Sequence, residues 1–262
     1  MLNSSGKTPS LLPGGLKRNL PAILVSIGLI LLWQVVAMII NAHYILPSPV
    51  QVVVRFWELK ENLLLVQLPA TMEVTFIGLG ISIIFGVLMA IAMTLWPKFE
   101  NAIYPVIVTT QTIPTTAIAP LFVLWFGYSI WAKVLVTILI TFFPIVINLH
   151  DGFKSSKREM EELMFTYGAS KKDIFIKLKI PGALPNFFSA LKMAIPLSII
   201  GAAISEWLGA QEGLGYFSKR MMTQLDGAGV FAPIVLLSIV AMALVGIINI
   251  LEKRFVTWRK EI

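Results

Sequence analysis

The sequence predicts an all-α, polytopic membrane protein: six transmembrane helices, with a helical cytoplasmic loop between the fourth and fifth. Three observations predict it. Hydrophobic residues make up 57% of the 262 residues and charged residues 13%, against roughly 45–50% and 25% in soluble domains. Six apolar runs approach or exceed the ~20 residues that a helix needs to cross ~30 Å of hydrocarbon. The basic residues lie between those runs, as the positive-inside rule requires, rather than clustering on one polar surface as in a nucleic-acid binder. Nucleic acid is therefore not an expected partner; membrane lipid is.

The first run, Pro21–Ile40, carries no charge and opens on a proline, which suits the first helical position. It is longer than a signal-peptide core and no A-x-A-like site follows it, so it is expected to be a retained span. The segment after it, "LPSPVQVVVRFWELKENLLL", predicts a short interfacial helix with Val52, Val53, Phe56 and Trp57 on one face. The second span is expected over about 71–96, with Glu73 as an interfacial anchor. The third, about 103–126, is interrupted by Pro114 and Pro120. It carries a polar run that should avoid lipid, in which Gln111, Thr115 and Thr116 are candidate pathway residues. A tight turn over 126–132 leads to the fourth span, about 131–149. The fifth, about 187–208, holds Lys192, Pro196, Ser198 and Glu206. Lys192 is expected to snorkel, and Pro196 to kink the helix beside Ser198 and the small residues that follow. Glu206 has two readings, closure of the loop "GAQEGLG" through hydrogen bonds and a place on the pathway. The sixth span is expected over about 230–251.

Loop charge sets the orientation. With the N-terminus inside, the inner segments hold Lys7, Lys17, Arg18, Lys98, the seven basic residues from Lys154 to Lys179, and Lys253, Arg254, Arg259 and Lys260. The outer loops hold only Arg55, Lys60, Lys133, Lys219 and Arg220. Both termini are therefore expected in the cytoplasm. The chain divides into a tail over 1–20, a membrane domain over 21–252 with its loop at 151–185, and a tail over 253–262.

That loop is the anomaly in the chain. From Arg158 to Pro185 it holds five basic and four acidic residues between nearly uncharged spans. Met160, Leu163, Met164 and Tyr167 form one apolar stripe at helical spacing. Gly168 breaks the helix, and Ser170 with Asp173 resembles an acidic capping box that restarts it. A second stripe follows at Ile174, Phe175 and Leu178. Pro181 and Pro185 are expected to stop this helix and return the chain to the membrane. Such a helix pair either rests on lipid or docks in a partner's groove, and periodicity alone does not choose.

The spacing does carry a family resemblance. Glu162-Leu163-Met164, then three residues, Gly168, nine residues, and Leu178-Lys179-Ile180-Pro181 resembles the cytoplasmic E-A-A…G…I-x-L-P signature of permease subunits of ATP-binding-cassette importers. Leu and Met replace both alanines, and Leu and Ile exchange places in the last element. "LPSP", "IPTTAIAPLFVLWFG" and "SEWLGAQEGLGY" resemble the nitrate/sulfonate/taurine branch, which also includes permeases for pyrimidine precursors of thiamine. The resemblance spans roughly residues 33–253.

It implies a homodimer in the bacterial inner membrane, with two cytoplasmic ATPase subunits and an extracytoplasmic substrate-binding protein. It implies that Glu161, Glu162, Leu163, Met164 and Tyr167, the hinge at Gly168, Ala169 and Ser170, and then Asp173, Phe175, Leu178 and Pro181 couple to the ATPase. The expected cargo is a small polar or anionic organic solute. No G-x-x-x-x-G-K-[ST] loop is present, so ATP and Mg are expected on the partners; no catalytic or metal-binding residue is expected here. A stand-alone secondary transporter or channel is the alternative. It would need an intramembrane coupling pair, for which Glu206 is the sole candidate.

Overall fold

The computed structural model describes residues 14–156 and 158–258; residues 1–13 and 259–262 of the expected tails lie outside the described residues, while 14–20 and 253–255 belong to helices. Among the described residues the chain is helical throughout, with no strand. Helix α1 is Gly14–Ile40, α2 Pro49–Asn62, α3 Leu68–Leu95, α4 Pro97–Thr110, α5 Thr115–Phe126 and α6 Ile130–Lys154. Then follow α7 (Arg158–Thr166), α8 (Lys171–Ile174), α9 (Ile180–Glu206), α10 (Leu214–Thr223) and α11 (Gly227–Phe255). Five helical stretches are long and apolar enough to cross a membrane, or six if α4 and α5, bent by 96°, are one broken span.

Central helix α6 packs between α3 and α9. The seam with α3 is built from small residues. Gly78, Ser82 and Gly86 follow each other at four-residue spacing and face Thr137, Thr141 and Ile145. A Cβ on Gly78 would lie 2.6 Å from Thr137 Cγ2, and one on Gly86 2.7 Å from Ile145 Cγ2. Between them Ser82 and Thr141 share a hydrogen bond of 2.6 Å. Without water to drive helices together, close backbone approach and a shared hydroxyl bond hold such a pair. The sequence reading placed close approach on α9 alone. It is there too, since Gly201 lies against Thr137 Cα, but the α3–α6 seam went unread.

Two expected stops are not stops. Helix α2 runs through a π turn at Leu63–Gln67 into α3, and α8 runs through a π turn at Phe175–Lys179 into α9. Each yields one unbroken rod, 47 residues over Pro49–Leu95 and 36 over Lys171–Glu206. The cause is the same at both places. A proline follows at once, Pro69 or Pro181, which has no N–H to donate and whose ring would strike the carbonyl four residues back. The wider turn makes i→i+5 bonds, with Leu68 N–H on Leu63 O and Ile180 N–H on Phe175 O. That spares the missing donor, and the helix continues. So Pro181 does not end the helix, Pro185 lies inside α9, and the segment after "LPSP" is the first part of one continuous helical stretch, Pro49–Leu95, rather than a separate helix. Val52 and Phe56 pack inward there, while Val53 and Trp57 stay exposed. Pro21, expected at a first turn, lies inside α1.

The third span departs most from a simple rod. Pro114 takes an extended conformation (ψ 117°) and α5 restarts after it at a sharp angle. Beyond α5, Gly127 (φ 64°) makes the expected tight turn into α6. Lys192, expected to snorkel, bonds Glu252 of α11 at 2.7 Å.

Candidate functional site

The loop after α6 keeps its predicted hinge. Helix α7 ends in a full Schellman motif: Gly168 N–H bonds Phe165 O at 2.9 Å and Ala169 N–H bonds Met164 O at 3.0 Å. Gly168 has φ 81°, the left-handed geometry that glycine adopts without a Cβ penalty. Ser170 then caps α8 reciprocally. Its hydroxyl accepts from Asp173 N–H at 3.1 Å, and the Asp173 carboxylate accepts from Ser170 N–H at 3.2 Å.

The two stripes differ in fate. On α7, Met160, Leu163 and Tyr167 are exposed, Tyr167 by 83%, and Met164 is half-buried. The second stripe is packed. Ile174 is buried, Phe175 lies 5.4 Å from Phe153 of α6 between ring centroids, and Leu178 is half-buried. The family resemblance puts Phe175 and Leu178 among the residues that couple to the ATPase. In the structure they are half-buried, Phe175 where the long rod meets the end of α6.

Glu161 latches α7 to that rod. Its carboxylate accepts from Ser156 Oγ and pairs with Lys179 Nζ at 3.0 Å. Burial alone would raise the Glu161 carboxyl, but these two donors outweigh it and hold it below the usual carboxylate range. Glu162 pairs with Arg158, on the exposed side.

At the other end of the rod, Glu206 is 1% exposed. Its Oε2 accepts from Gly215 N–H at 2.7 Å. Neighbouring amides at the start of α10 are met from α3 and its preceding turn: Gly213 N–H by Gln67 Oε1 and Leu214 N–H by Thr71 Oγ1, both at 2.8 Å. Three side chains thus meet the first amides of α10, which a helix start leaves orphaned. Gly213 (φ 123°) lets the carboxyl in; a Cβ there would lie 2.2 Å from Glu206 Cδ. The loop-closing reading of Glu206 describes this geometry. Gln67 and Thr71 were not singled out in the sequence, and only the contact reveals them. Nearby, Arg55 Nε bonds Asp226 at 2.8 Å, and Asp226 caps α11.

The other candidate pathway residues are dispersed. Gln111 and Thr116 are exposed and Thr115 half-buried at the α4–α5 bend. Ser198 is fully buried and bonds Ile195 O, inside the bundle rather than on a cavity. Pro196 is half-buried and lines an apolar cleft of about 620 Å³ between α9 and α11. Among the described residues no group of three or more His, Cys, Asp or Glu side chains could hold a metal.

Residues 82–257 match the family described as the inner membrane component of binding-protein-dependent transport systems. Among curated proteins, the chain is 49% identical over 249 residues to a formylaminopyrimidine transport permease of Halalkalibacterium halodurans, covering 94% of this chain and all of that one. It is 32% identical to a riboflavin transport permease of Chloroflexus aurantiacus, with 91% of each chain covered. Permeases for aliphatic sulfonates, taurine and nitrate match at lower identity. Among solved structures, an inward-facing methionine transporter, MetNI, matches with a TM-score of 0.56 at 19% identity, over 74% of this chain and 92% of that one. That likeness speaks for the fold.

Proposed function

Because the chain belongs to the inner-membrane components of binding-protein-dependent transport systems, the permeases of ATP-binding-cassette importers, we propose that it imports a small pyrimidine-type nitrogen heterocycle. Two copies form the pathway. An extracytoplasmic binding protein delivers the solute, and two cytoplasmic ATPase subunits bind ATP and Mg and drive the cycle. The cargo reading rests on identity along the whole length of a formylaminopyrimidine permease. The termini lie in the cytoplasm, following the loop charge.

One observation carries the mechanism: an exposed apolar stripe on α7, hinged at Gly168 and latched to a rod that runs unbroken to Glu206. A groove on the ATPase covers that stripe. When the ATPase dimer closes on ATP, α7 shifts and the rod moves with it. ATP binding thereby biases a two-state bundle between inward- and outward-open forms.

The test is uptake of labelled formylaminopyrimidine by cells expressing the permease with its neighbouring ATPase and binding-protein genes. Uptake that needs all three, is inhibited by unlabelled pyrimidine and is indifferent to taurine supports the reading. Uptake of taurine or an alkanesulfonate instead would reassign the cargo. Uptake without the ATPase would overturn the mechanism.

A further inference from the structure

One polar cluster, built around a buried histidine, is used by nothing described so far. His150, near the end of α6, is 1% exposed. Its Nε2 lies 3.2 Å from Glu100 Oε1 in the first turn of α4, and its Nδ1 3.3 Å from Thr94 Oγ1 at the end of α3. Lys154, one turn beyond His150, bonds the same Glu100 oxygen. Tyr104 of α4 closes the group, its ring centroid 6.2 Å from that of His150.

Elsewhere, among the described residues, α4 is held by apolar side chains. Ile107, Ile103 and Phe99 lie on Met93 of α3 and Val146 of α6. Apolar helix surfaces in a membrane slide at little cost, whereas a carboxylate set between a buried imidazole and a lysine has one register in which it reaches both. Glu100 therefore fixes α4 to the end of α6. That end is where the coupling loop attaches. Phe153 packs on Phe175 of the rod, a Cβ on Gly152 would lie 2.7 Å from Asn186, and Ser156 bonds Glu161 of α7.

We infer that the Glu100–His150–Lys154 cluster is a tether that makes the broken helix pair α4–α5 move with the coupling loop. The inference rests on the proposed transport mechanism and deepens it. Motion of α7 reaches the rod directly, and the cluster carries it from the end of α6 into α4 and so to the near side of the polar bend at 111–116, whose far side, α5, packs on α6 itself. Glu100 is a positioning residue; it touches no solute and no nucleotide.

The experiment uses the complete transporter, with ATPase and binding protein, reconstituted in lipid vesicles. Solute taken up is measured per ATP hydrolysed. In Glu100→Gln this ratio falls about tenfold, within the range of coupling between linked sites, while ATP hydrolysis stays near the wild-type rate. Glu100→Asp restores most of it. A change in the amount of folded protein would lower uptake and hydrolysis together and leave the ratio intact. The chain has no cysteine, so spin labels report the motion cleanly. They are placed at the exposed Glu159, Val106 and Ile250 on α7, α4 and α11. In the wild type, trapping the ATP-bound state changes both the 159–250 and the 106–250 distances. In Glu100→Gln only the first changes. An unchanged ratio, or a Val106 label that still moves in Glu100→Gln, overturns the tether. A wild type with no ATP-dependent uptake overturns the transport mechanism itself, and the tether with it.

Discussion

The two ends of the 171–206 rod are built on opposite terms. At the Glu206 end the carboxyl is fully buried, bonded to one α10 amide and flanked by Gln67 and Thr71 on two more. At the loop end α7 keeps its apolar stripe exposed and is joined to the rest by a glycine hinge and one carboxylate latch. The first arrangement resists change; the second is assembled to meet something else. A lever needs both, an end fixed to the bundle and an end free to be pushed.

The comparison breaks most visibly at Gly213. Gly213→Ala puts a Cβ on the Glu206 carboxyl, which its bonds prevent from retreating, and asks alanine for φ 123°. We expect destabilisation of about 3 kcal/mol, read as a lower thermal midpoint and less protein in detergent. A variant with the wild-type midpoint would mean the Glu206 end is not pinned there. Glu206→Ala is next. It leaves a buried amide unsatisfied, at a cost of roughly 1–3 kcal/mol, and both ATPase stimulation and uptake fall with the quantity of folded protein.

Gly168 sharpens the other half. A Cβ at Gly168 meets nothing within 4 Å, so the only penalty of a substitution is φ 81°, about 1–2 kcal/mol. Gly168→Val should leave the protein in the membrane but uncouple uptake from ATP hydrolysis. Gly168→Asn, which tolerates left-handed geometry, should keep much of both. Equal uptake in the two variants would remove the hinge from the account.

The smallest effect is at Glu161. Its carboxyl is held below its usual range, so the latch contributes above the unfolded value near 4.3 and is lost as pH falls through the lower folded value. Glu161→Gln should loosen α7 by less than about 1 kcal/mol, since the pair is partly exposed, and should abolish the change in α7 amide exchange between pH 5 and pH 3. A pH response that persists in the variant would place the titrating group elsewhere.

What the sequence made legible follows the same division. The coupling loop could be read because its signals are local. An amphipathic stripe, a glycine and a Ser-x-x-Asp cap each act within one or two turns, and the structure realises the hinge and the cap at Gly168 and Ser170. The spans were legible from hydropathy, and the weakness of the third showed as Pro114. The two continuous rods were not legible. Proline marks a missing donor, but whether the helix ends or widens by one residue depends on what the segment packs against on either side. The α3–α6 seam was missed because Gly78, Ser82 and Gly86 acquire meaning only opposite Thr137 and Thr141. Glu206 was recognisable as costly from its position, yet Gln67 and Thr71 are over 130 residues away in the chain and no periodic signal links them. The partner of Lys192 was missed for the same reason, Glu252 lying a whole helix further on.

The central claim is that the exposed stripe of α7 is the surface on which the ATPase acts. The direct measurement is co-purification of the ATPase subunit with the tagged permease, for the wild type and for Leu163→Glu/Tyr167→Glu. Both side chains are exposed, so the variant should reach the membrane in wild-type amount with an unchanged thermal midpoint. The account predicts that the ATPase copurifies with the wild type and is lost from the variant. An ATPase retained in full by the doubly charged variant would contradict it.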